Sequence, residues 1–496
     1  MTSRSALIFQ RDGKLLVTQG EGLDEIIRDI RQCAQLRSIV AGNHVYELSP
    51  SALWGLAARG VGANSLLDQL ERYAAMPVPA PMAARIAETM GRVGALEVFD
   101  GTDGVRIRAR TPAILREIGI DSPNGDSPVV RIEPSTLGRI KLAAVEAGWP
   151  VIDRRRLLDR ASPIVLNEDV SLRPYQLGAL AAFRNGRDGV VLLPCGAGKT
   201  LVGVAAAMET GGPVLVLVPS RTVGEQWQAA FRDATDCPPS DIGWFSASDP
   251  QVVSTVTYHA ATSGHGTGDL TGRRWRLVIF DEVQSLPADV FRLASGIDAD
   301  RRLGLSATLV REDGREAEVF ALVGPALYEA SWLELERDGW IAPARCVEVR
   351  VPASTSTVDH WRYKMAVVQR LLERHANVPA LVVGTDVASL RAAGRRLGFP
   401  VLTGSSSNER RAQVLDAFRA GLIQTIGLSR IGSVGIDLPD ASVLIQVSGT
   451  FGSRQEEAQR LGRILRPASG KTAHFYTIVA AGTREQHFAS RRQRFL

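Results

Sequence analysis

Cysteine is scarce in this sequence, with four residues among 496, and no two of them form a Cys-x-x-Cys pair. This spacing argues against a disulfide framework, a zinc ribbon and an iron–sulfur cluster. Long apolar runs are also missing, because the longest, such as the run at 214–218, are far too short to span a bilayer. The amino terminus has an apolar stretch of only four residues and no cleavage pattern, so we expect no export signal and a cytoplasmic protein. The cysteines are Cys33, Cys195, Cys237 and Cys346.

Lysine is equally scarce, since only five of the 58 basic residues are lysine. A genome that prefers arginine this strongly should keep lysine mainly where arginine cannot replace it, which draws attention to Lys199. The balance of 45% hydrophobic and 22% charged residues is that of an ordered globular protein, and the length suggests about three domains. The net charge is only +5, but residues 460–496 carry eight basic residues and one acid. Such a segment suits a polyanionic partner, and a solvated terminal helix explains it equally well.

The order of apolar runs divides the chain into three regions, 1–165, 166–345 and 346–496. In the second and third regions, short apolar runs alternate with helical or turn sequence, which is typical of parallel sheets covered on both faces. We therefore predict two tandem α/β domains with parallel sheets, preceded by an α+β amino-terminal domain. The predicted strands are 190–193, 214–218, 277–280 and 303–305 in the second region, and 381–383, 425–428, 443–447 and 475–479 in the third.

The amino-terminal region contains a candidate winged helix. Two predicted helices, 65–74 and 81–93, are separated by a proline-rich breaker at 77–81. Two alternating runs, 95–99 and 105–109, then flank an Asp-Gly-Thr-Asp-Gly turn and predict a hairpin. Modules of this kind either bind duplex DNA or act as packing domains, and no clear basic recognition helix decides between the two.

A glycine-rich segment directly follows the first predicted strand of the second region. Gly196 and Gly198 allow backbone N–H groups to curl around phosphate oxygens, and the helix that begins near Thr200 adds its positive end. Lys199 supplies a compact charge for the β- and γ-phosphates, and the Thr200 hydroxyl suits Mg²⁺. Leu193 stands at the first position of the usual G-x-x-x-x-G-K-[ST] pattern, so this is a variant loop; a tight turn beneath a helix is the alternative. The predicted phosphate loop comprises Leu193, Pro194, Cys195, Gly196, Ala197, Gly198, Lys199 and Thr200.

Two carboxylates end the apolar strand at 277–280. We expect Asp281 to face the phosphate loop and hold Mg²⁺ through water, and Glu282 to polarise an attacking water. A solvated strand end is the alternative, which a phosphate loop about eighty residues upstream disfavours. The next strand also ends in polar residues, which suit a relay between nucleotide and nucleic acid or a simple strand cap. These residues are Ser306, Ala307 and Thr308.

Polar residues elsewhere complete the predicted nucleotide site. The Gln176 carboxamide is able to read both edges of adenine, and Tyr175 could pack on the base, although a polar helix start explains both residues equally well. Gly435 and Asp437 follow the strand at 425–428 and could couple the nucleotide to the neighbouring cleft.

A basic helix in the third region offers groups for the γ-phosphate. Its residues Gln459, Gly462, Arg463 and Arg466 fall at offsets of 0, 3, 4 and 7, so they share one helical face. Two arginines on one face suit the role of arginine fingers, and an exposed basic face is the alternative.

In this order, the segments resemble the core of superfamily 2 helicases with two RecA-like domains, and more closely the XPB-type DNA repair helicases. The similarity is strong over about 170–496 and looser in the amino-terminal domain. The matching segments are 172–176, 193–200, 281–284, 305–313, 339–342, 451–466 and 492–496.

The resemblance implies an ATP-dependent DNA helicase with 3′→5′ polarity, acting in DNA repair with ATP and Mg²⁺ as cofactors. By resemblance, the catalytic residues are Lys199, Asp281, Glu282, Arg463 and Arg466, while Thr200 and Asp281 hold Mg²⁺. Gln176, Gly435, Asp437 and Gln459 join the phosphate loop in binding the nucleotide. The family's R-E-D element, linked there to duplex opening, is matched by Arg311, Glu312 and Asp313.

The same resemblance implies partners and a location. We expect the protein to act as a monomer on single-stranded, duplex or forked DNA, in the cytoplasm at the nucleoid. A nuclease or another repair protein is the expected protein partner, and no membrane is involved.

Three departures from the family pattern bear on function. Gln284 stands where eukaryotic members have histidine, which would alter coupling without abolishing hydrolysis. The chain between Val351 and Arg374 is too short for the family's thumb-like insertion, and it ends at Leu496 where many relatives continue. A duplex translocase that does not separate strands is therefore the first alternative, and a DNA-binding scaffold with weak ATPase is the second. An RNA helicase fits the core motifs alone, whereas a restriction motor is disfavoured because no nuclease motif is visible.

Overall fold

The structure is a computed structural model, and contacts divide the chain into two compact units. The first unit is Met1–Leu192 with Thr200–Glu329, and the second is Leu193–Lys199 with Ala330–Leu496. Within the described ranges no helix is both long and apolar enough to cross a membrane. The structure describes residues 6–10, 12–40, 42–74, 76–122, 127–155, 164–186, 188–194, 196–248, 251–263, 270–307, 316–353, 357–429, 441–447 and 472–481.

The amino-terminal residues form an antiparallel sheet packed by four helices. The strands lie in the order β1-β2-β4-β3, and alternate residues such as Leu15 and Tyr46 enter the core between sheet and helices. The strands are β1 (Leu7–Phe9), β2 (Lys14–Val17), β3 (Ala34–Val40) and β4 (Asn43–Leu48), and the helices are α1 (Leu23–Arg31), α2 (Pro50–Ala58), α3 (Ala63–Glu71) and α4 (Ala80–Gly91).

A second small sheet follows, in the order β7-β6-β5-β8. Strands β5 and β6 form the predicted antiparallel hairpin, and the two helices predicted before it are α3 and α4. These helices pack in the core of the first sheet, while the hairpin has a core of its own, so the winged helix stays a hypothesis. The elements are β5 (Leu96–Gly101), β6 (Gly104–Ala109), β7 (Val129–Arg131), β8 (Val151–Asp153), α5 (Pro112–Glu117) and α6 (Leu137–Glu146).

The third sheet is the first of two wholly parallel sheets. Its order is β11-β12-β10-β13-β14-β9-β15, and its four predicted strands are confirmed. Helix α13 (Trp332–Arg337) comes after its last strand. The strands are β9 (Gly189–Leu192), β10 (Val214–Val218), β11 (Ile242–Trp244), β12 (Val253–Thr257), β13 (Trp275–Asp281), β14 (Ala299–Ser306) and β15 (Ala326–Glu329). The helices are α7 (Pro174–Asn185), α8 (Lys199–Thr210), α9 (Arg221–Ala234), α10 (Tyr258–Ser263), α11 (Ala288–Gly296) and α12 (Glu316–Val323).

The fourth sheet is also parallel, in the order β16-β21-β20-β17-β19-β18. Its four predicted strands are confirmed, and so is the prediction of two α/β domains with parallel sheets. The elements are β16 (Ala344–Val351), β17 (Ala380–Gly384), β18 (Val401–Leu402), β19 (Thr425–Ser429), β20 (Val443–Gln446), β21 (Ala473–Ala480), α14 (Thr357–Arg374), α15 (Val387–Leu397) and α16 (Asn408–Arg419).

Helix α6 of the second small sheet packs closely against the first parallel sheet's helices α11 and α12. Gly138 allows this approach, because a Cβ atom there would lie 1.9 Å from the carbonyl oxygen of Ser295. A buried ion pair strengthens the attachment: Arg155 lies after β8 and its guanidinium is 2.7 Å from a carboxylate oxygen of Asp298. The small sheet is thus joined to the helices that follow β13 and β14.

Candidate functional site

The carboxyl ends of β9, β14 and β13 lie side by side at one edge of the first parallel sheet. The register pairs Ser306 with Leu192, and Leu305 with Asp281, so the last residues of the three strands reach the same edge. Strand β14 lies between the other two, which places β9 and β13 about 10 Å apart. Ligands of open parallel sheets bind outside this edge. The phosphate loop and the acidic pair therefore leave the sheet at neighbouring points, as their sequence positions predict.

The phosphate loop turns sharply between β9 and α8. Gly196 has a φ of 82° and Gly198 a φ of 77°, a left-handed conformation that favours glycine over every other residue. Lys199 begins α8, and its Nζ donates to the carbonyl oxygen of Leu193 at 3.3 Å, so the side chain folds back across its own loop. Thr200 is the second residue of the helix and is half-buried.

The other described residues of the loop stabilise its conformation and are largely buried. Leu193 and Ala197 are buried, and the Ala197 N–H donates to the carbonyl oxygen of Pro194 at 3.2 Å. These contacts close the turn that carries the two glycines.

Asp281 is 9% exposed, and two aromatic residues that the sequence analysis missed bond to it, one at the carboxylate and one at the backbone carbonyl. Trp227 Nε1 donates to Asp281 Oδ2 at 2.9 Å, and the Tyr258 hydroxyl donates to the Asp281 carbonyl oxygen. Burial, together with the negative charges of Asp281 and Glu282, raises the pKa of Tyr258 well above its usual value. Tyr258 therefore keeps its proton and remains a donor.

Glu282 has a left-handed backbone with a φ of 52° and a ψ of 49°, which is unusual for a residue other than glycine. Such a conformation costs about 1–3 kcal/mol and is commonly found at functional sites. It begins a short turn over Val283–Ser285 and brings the side chain of Gln284 back toward it.

Gln284 joins Glu282 to Ser306. Its Nε2 donates to Glu282 Oε2 at 2.6 Å, and its Oε1 accepts from the Ser306 hydroxyl at 2.5 Å. Gln284 and Ser306 are buried and Glu282 is half-buried, so the bond to Ser306 is sheltered from water and the bond to Glu282 only partly so. Ala307, the next residue, is half-buried. A polar relay thus connects the acidic pair with the end of β14.

Gln176 lies at the start of α7 and is 3% exposed. Its Oε1 accepts from the backbone N–H of Arg173 at 2.9 Å, and Arg173 Nη1 donates to the Tyr175 hydroxyl at 3.1 Å. These contacts match the helix-start alternative, and adenine recognition stays a prediction.

Several predicted residues lie outside the described part of the chain. They are Cys195, Thr308, Arg311, Glu312, Asp313, Gly435, Asp437, Gln459, Gly462, Arg463 and Arg466.

The described oxygen donors suit Mg²⁺ bound together with phosphate rather than alone. In the described ranges, no group of three or more His, Cys, Asp or Glu side chains is arranged to hold a metal ion. Mg²⁺ usually keeps several waters and is bound by one or two carboxylates plus substrate phosphates. A carboxylate at Asp281 and a hydroxyl at Thr200, beside a phosphate loop, fit that pattern.

Three family models match parts of the sequence. The ERCC3/RAD25/XPB C-terminal helicase model matches residues 363–496, and the model of the type III restriction enzyme res subunit matches residues 169–311. A helicase conserved C-terminal domain model matches residues 7–133. Each of the four sheets is thus matched, at least in part, by one of these three models.

Two bacterial relatives match almost the full length. The DNA 3′-5′ helicase XPB of Mycobacterium tuberculosis is 39% identical, with 99% of this chain and 95% of the relative covered. That of Kineococcus radiotolerans is 40% identical, with 99% and 94% covered. The chain belongs to the XPB helicase family. One solved structure, the ATP-dependent type ISP restriction-modification enzyme LlaBIII bound to DNA, has a TM-score of 0.51 with this XPB-family chain at 14% identity. The match covers 70% of this chain and 31% of that one, and it shows a shared fold.

Proposed function

We propose that this XPB-family protein is an ATP-dependent DNA helicase that moves 3′→5′ and acts in DNA repair. The observation that carries the proposal is the sheet edge at which the phosphate loop, the acidic pair and the buried Glu282–Gln284–Ser306 relay meet. The two bacterial relatives, each described as a DNA 3′-5′ helicase, support the polarity and the substrate.

In this proposal the first parallel sheet binds and hydrolyses ATP. The loop amides and Lys199 hold the phosphates, and Thr200 and Asp281 hold the metal. Mg²⁺ bound there would neutralise part of the negative charge on the β- and γ-phosphates. Glu282 orients the attacking water, for which its strained backbone presents the carboxylate at the end of β13.

The remaining predicted residues are assigned to binding and coupling. We assign adenine recognition to Gln176 and γ-phosphate stabilisation to Arg463 and Arg466. Gly435, Asp437 and Gln459 are assigned to the nucleotide as well.

We divide the chain into an accessory domain at 1–165, an ATP-binding domain at 166–345 and a carboxyl-terminal helicase domain at 346–496. Coupling to DNA is assigned to the segment Ser306–Thr308 and to Arg311, Glu312 and Asp313. A cytoplasmic, nucleoid-associated and monomeric protein that works with a nuclease or another repair protein is part of the same proposal.

Two substitutions test the ATPase. Lys199→Ala removes the cation from the phosphates, and Glu282→Gln keeps the size of the side chain but removes its charge. We expect both variants to lower DNA-stimulated ATP hydrolysis at least 100-fold, because such groups act mainly in the transition state. Glu225→Gln is the matched control, since Glu225 is exposed on α9 and pairs only loosely with Arg221 at 3.4 Å. Its rate should equal that of the unmodified protein.

The choice of nucleic acid tests the substrate. Stimulation of ATP hydrolysis is compared across single-stranded DNA, duplex DNA, forks and RNA, and we expect DNA to stimulate and RNA not to. If the unmodified protein shows no DNA-stimulated hydrolysis, the proposal is wrong, and the alternative of a DNA-binding scaffold with weak ATPase is favoured. Full activity of Glu282→Gln would remove the assignment of Glu282.

Translocation on duplex DNA without strand separation is the second candidate. It is favoured because described residues 357–374, where the family's thumb would be inserted, form the single helix α14. A forked duplex and a blunt triplex separate the two functions. A helicase opens the 3′-tailed fork, whereas a duplex translocase displaces the third strand of the triplex and leaves the fork intact.

A further inference from the structure

Trp227 touches both the acidic strand and the phosphate helix, although no motif singles it out. It lies on α9, is 1% exposed, and donates from Nε1 to Asp281 Oδ2 at 2.9 Å. Its ring packs against Gly203, one turn after Lys199 on α8, where an added Cβ atom would lie 2.3 Å from ring atom Cη2. One side chain thus contacts the helix that carries Lys199 and Thr200 and the carboxylate at the end of β13.

The chemistry of the indole group suits it to hold a carboxylate in one orientation. An indole N–H is a donor only, so it pairs with the ionised carboxylate and never competes for its proton. The large ring packs against Gly203 and leaves no room there for a side chain on α8. Partners of this kind, which orient a metal-binding group, typically change metal affinity or activity 10- to 100-fold when they are lost.

We propose that Trp227 is a positioning residue of the nucleotide site: its indole N–H sets the orientation of the Asp281 carboxylate, and thereby the affinity for Mg²⁺. This inference rests on the proposed function, because it takes the group held beside Asp281 to be the Mg²⁺ of bound ATP.

A matched control lies on β13, the strand that ends in Asp281. Trp275 begins β13, is fully buried, and donates from Nε1 to the carbonyl oxygen of Leu270 at 3.2 Å. Asp281 lies six positions further along the strand, a distance of about 20 Å. Trp275→Phe therefore removes the same ring and the same donor from the core of the same sheet, without touching the carboxylate.

The test compares Trp227→Phe, Trp275→Phe and the unmodified protein in three measurements. These are thermal unfolding without nucleotide, binding of a fluorescent β,γ-imido ATP analogue as Mg²⁺ is titrated, and DNA-stimulated turnover. For Trp227→Phe we expect the half-saturating Mg²⁺ concentration to rise about 10- to 100-fold and kcat to fall at least tenfold, with binding of the analogue in EDTA unchanged. Trp275→Phe should stay within twofold in Mg²⁺ dependence even though its unfolding temperature falls.

A second variant separates the hydrogen bond from the packing. Trp227→His keeps a ring N–H that can donate to Asp281, so its Mg²⁺ dependence should stay within threefold of the unmodified protein. Three outcomes would overturn this inference and leave the proposed function standing. They are an unchanged Mg²⁺ dependence in Trp227→Phe, an equal shift in Trp275→Phe, and a shift in a folded Trp227→His variant as large as that expected for Trp227→Phe. Unmodified protein that neither binds the analogue nor hydrolyses ATP would overturn the proposed function, and this inference with it.

Discussion

Gln284 donates one hydrogen bond and accepts another. A residue that replaces it must have both a donor and an acceptor to keep these contacts. Gln284 donates to Glu282 in a partly buried contact and accepts from Ser306 in a buried one. A neutral histidine also has one ring donor and one ring acceptor. A histidine at position 284 can therefore make the same two contacts.

Replacing Gln284 with histidine should keep the relay but make it sensitive to pH. Near pH 8 we expect Gln284→His to retain DNA-stimulated hydrolysis within about threefold. As the pH falls through about 6.5, the imidazolium loses its acceptor, Ser306 loses its partner and the rate drops relative to the unmodified protein. The check is the ratio of the two rates between pH 8 and pH 6.

Gln284→Ala is the control for the relay itself. It removes both contacts at every pH, and hydrogen bonds to charged groups contribute about 1.5–3 kcal/mol, so we expect at least a tenfold lower stimulated rate with no pH trend. A Gln284→His ratio that stays flat across the range would contradict the relay.

The sequence predicted residue positions that follow from local pattern and missed contacts that depend on tertiary structure. The position of Asp281 and Glu282 at the end of β13 could be predicted because both directly follow an apolar run, and their roles stay predictions. Trp227 lies 54 residues from Asp281 in the chain, and a buried tryptophan on an amphipathic helix looks like any core residue. Only the sheet order, with β10 beside β13, brings α9 near that strand's end.

At the scale of elements, strands with an uninterrupted apolar run were the easiest to predict. Strands β10 and β17 are buried along their full length, and both were predicted. Strand β12 reads Val-Ser-Thr-Val-Thr and β16 reads Ala-Arg-Cys-Val-Glu-Val-Arg-Val, so neither has an uninterrupted apolar run. Strand β16 lies at the edge of its sheet, where polar side chains can reach solvent. The pattern of apolar residues alone does not predict such strands.

The attachment of α6 to α11 yields a prediction about stability. Gly138→Ala would place a Cβ atom 1.9 Å from the Ser295 carbonyl oxygen, and backbone atoms cannot move aside cheaply. We expect the free energy of unfolding of the first unit to fall by about 1–3 kcal/mol, read as a lower midpoint of the first thermal transition. Gly91→Ala is the matched control, since Gly91 is also helical and has nothing within 4 Å of an added Cβ atom. Its midpoint should stay the same or rise, because alanine favours helix; equal effects of the two changes would contradict tight packing of α6.

At the scale of the whole molecule, the two parallel sheets are unequal in chemistry. The first carries the phosphate loop, the acidic pair and the relay within the described residues. The predicted contribution of the second is a pair of arginines. Hydrolysis of a phosphoanhydride develops charge on the γ-phosphoryl oxygens, and a lysine and a metal on one side leave the opposite side without a cation. An arginine that neutralises this charge speeds hydrolysis without being needed to bind ATP.

Removing one of these arginines should therefore separate binding from turnover. We expect Arg466→Ala to bind the fluorescent β,γ-imido ATP analogue within threefold of the unmodified protein, since the first sheet holds the nucleotide. Turnover at saturating ATP and DNA should fall about 10³-fold or more, the range known for arginine fingers. Arg419→Ala is the control, because Arg419 lies exposed at the end of α16 and pairs with Asp416 at 2.9 Å. Unchanged turnover in Arg466→Ala would remove its assignment as an arginine finger, and equal loss of binding and turnover would make Arg466 a binding residue instead.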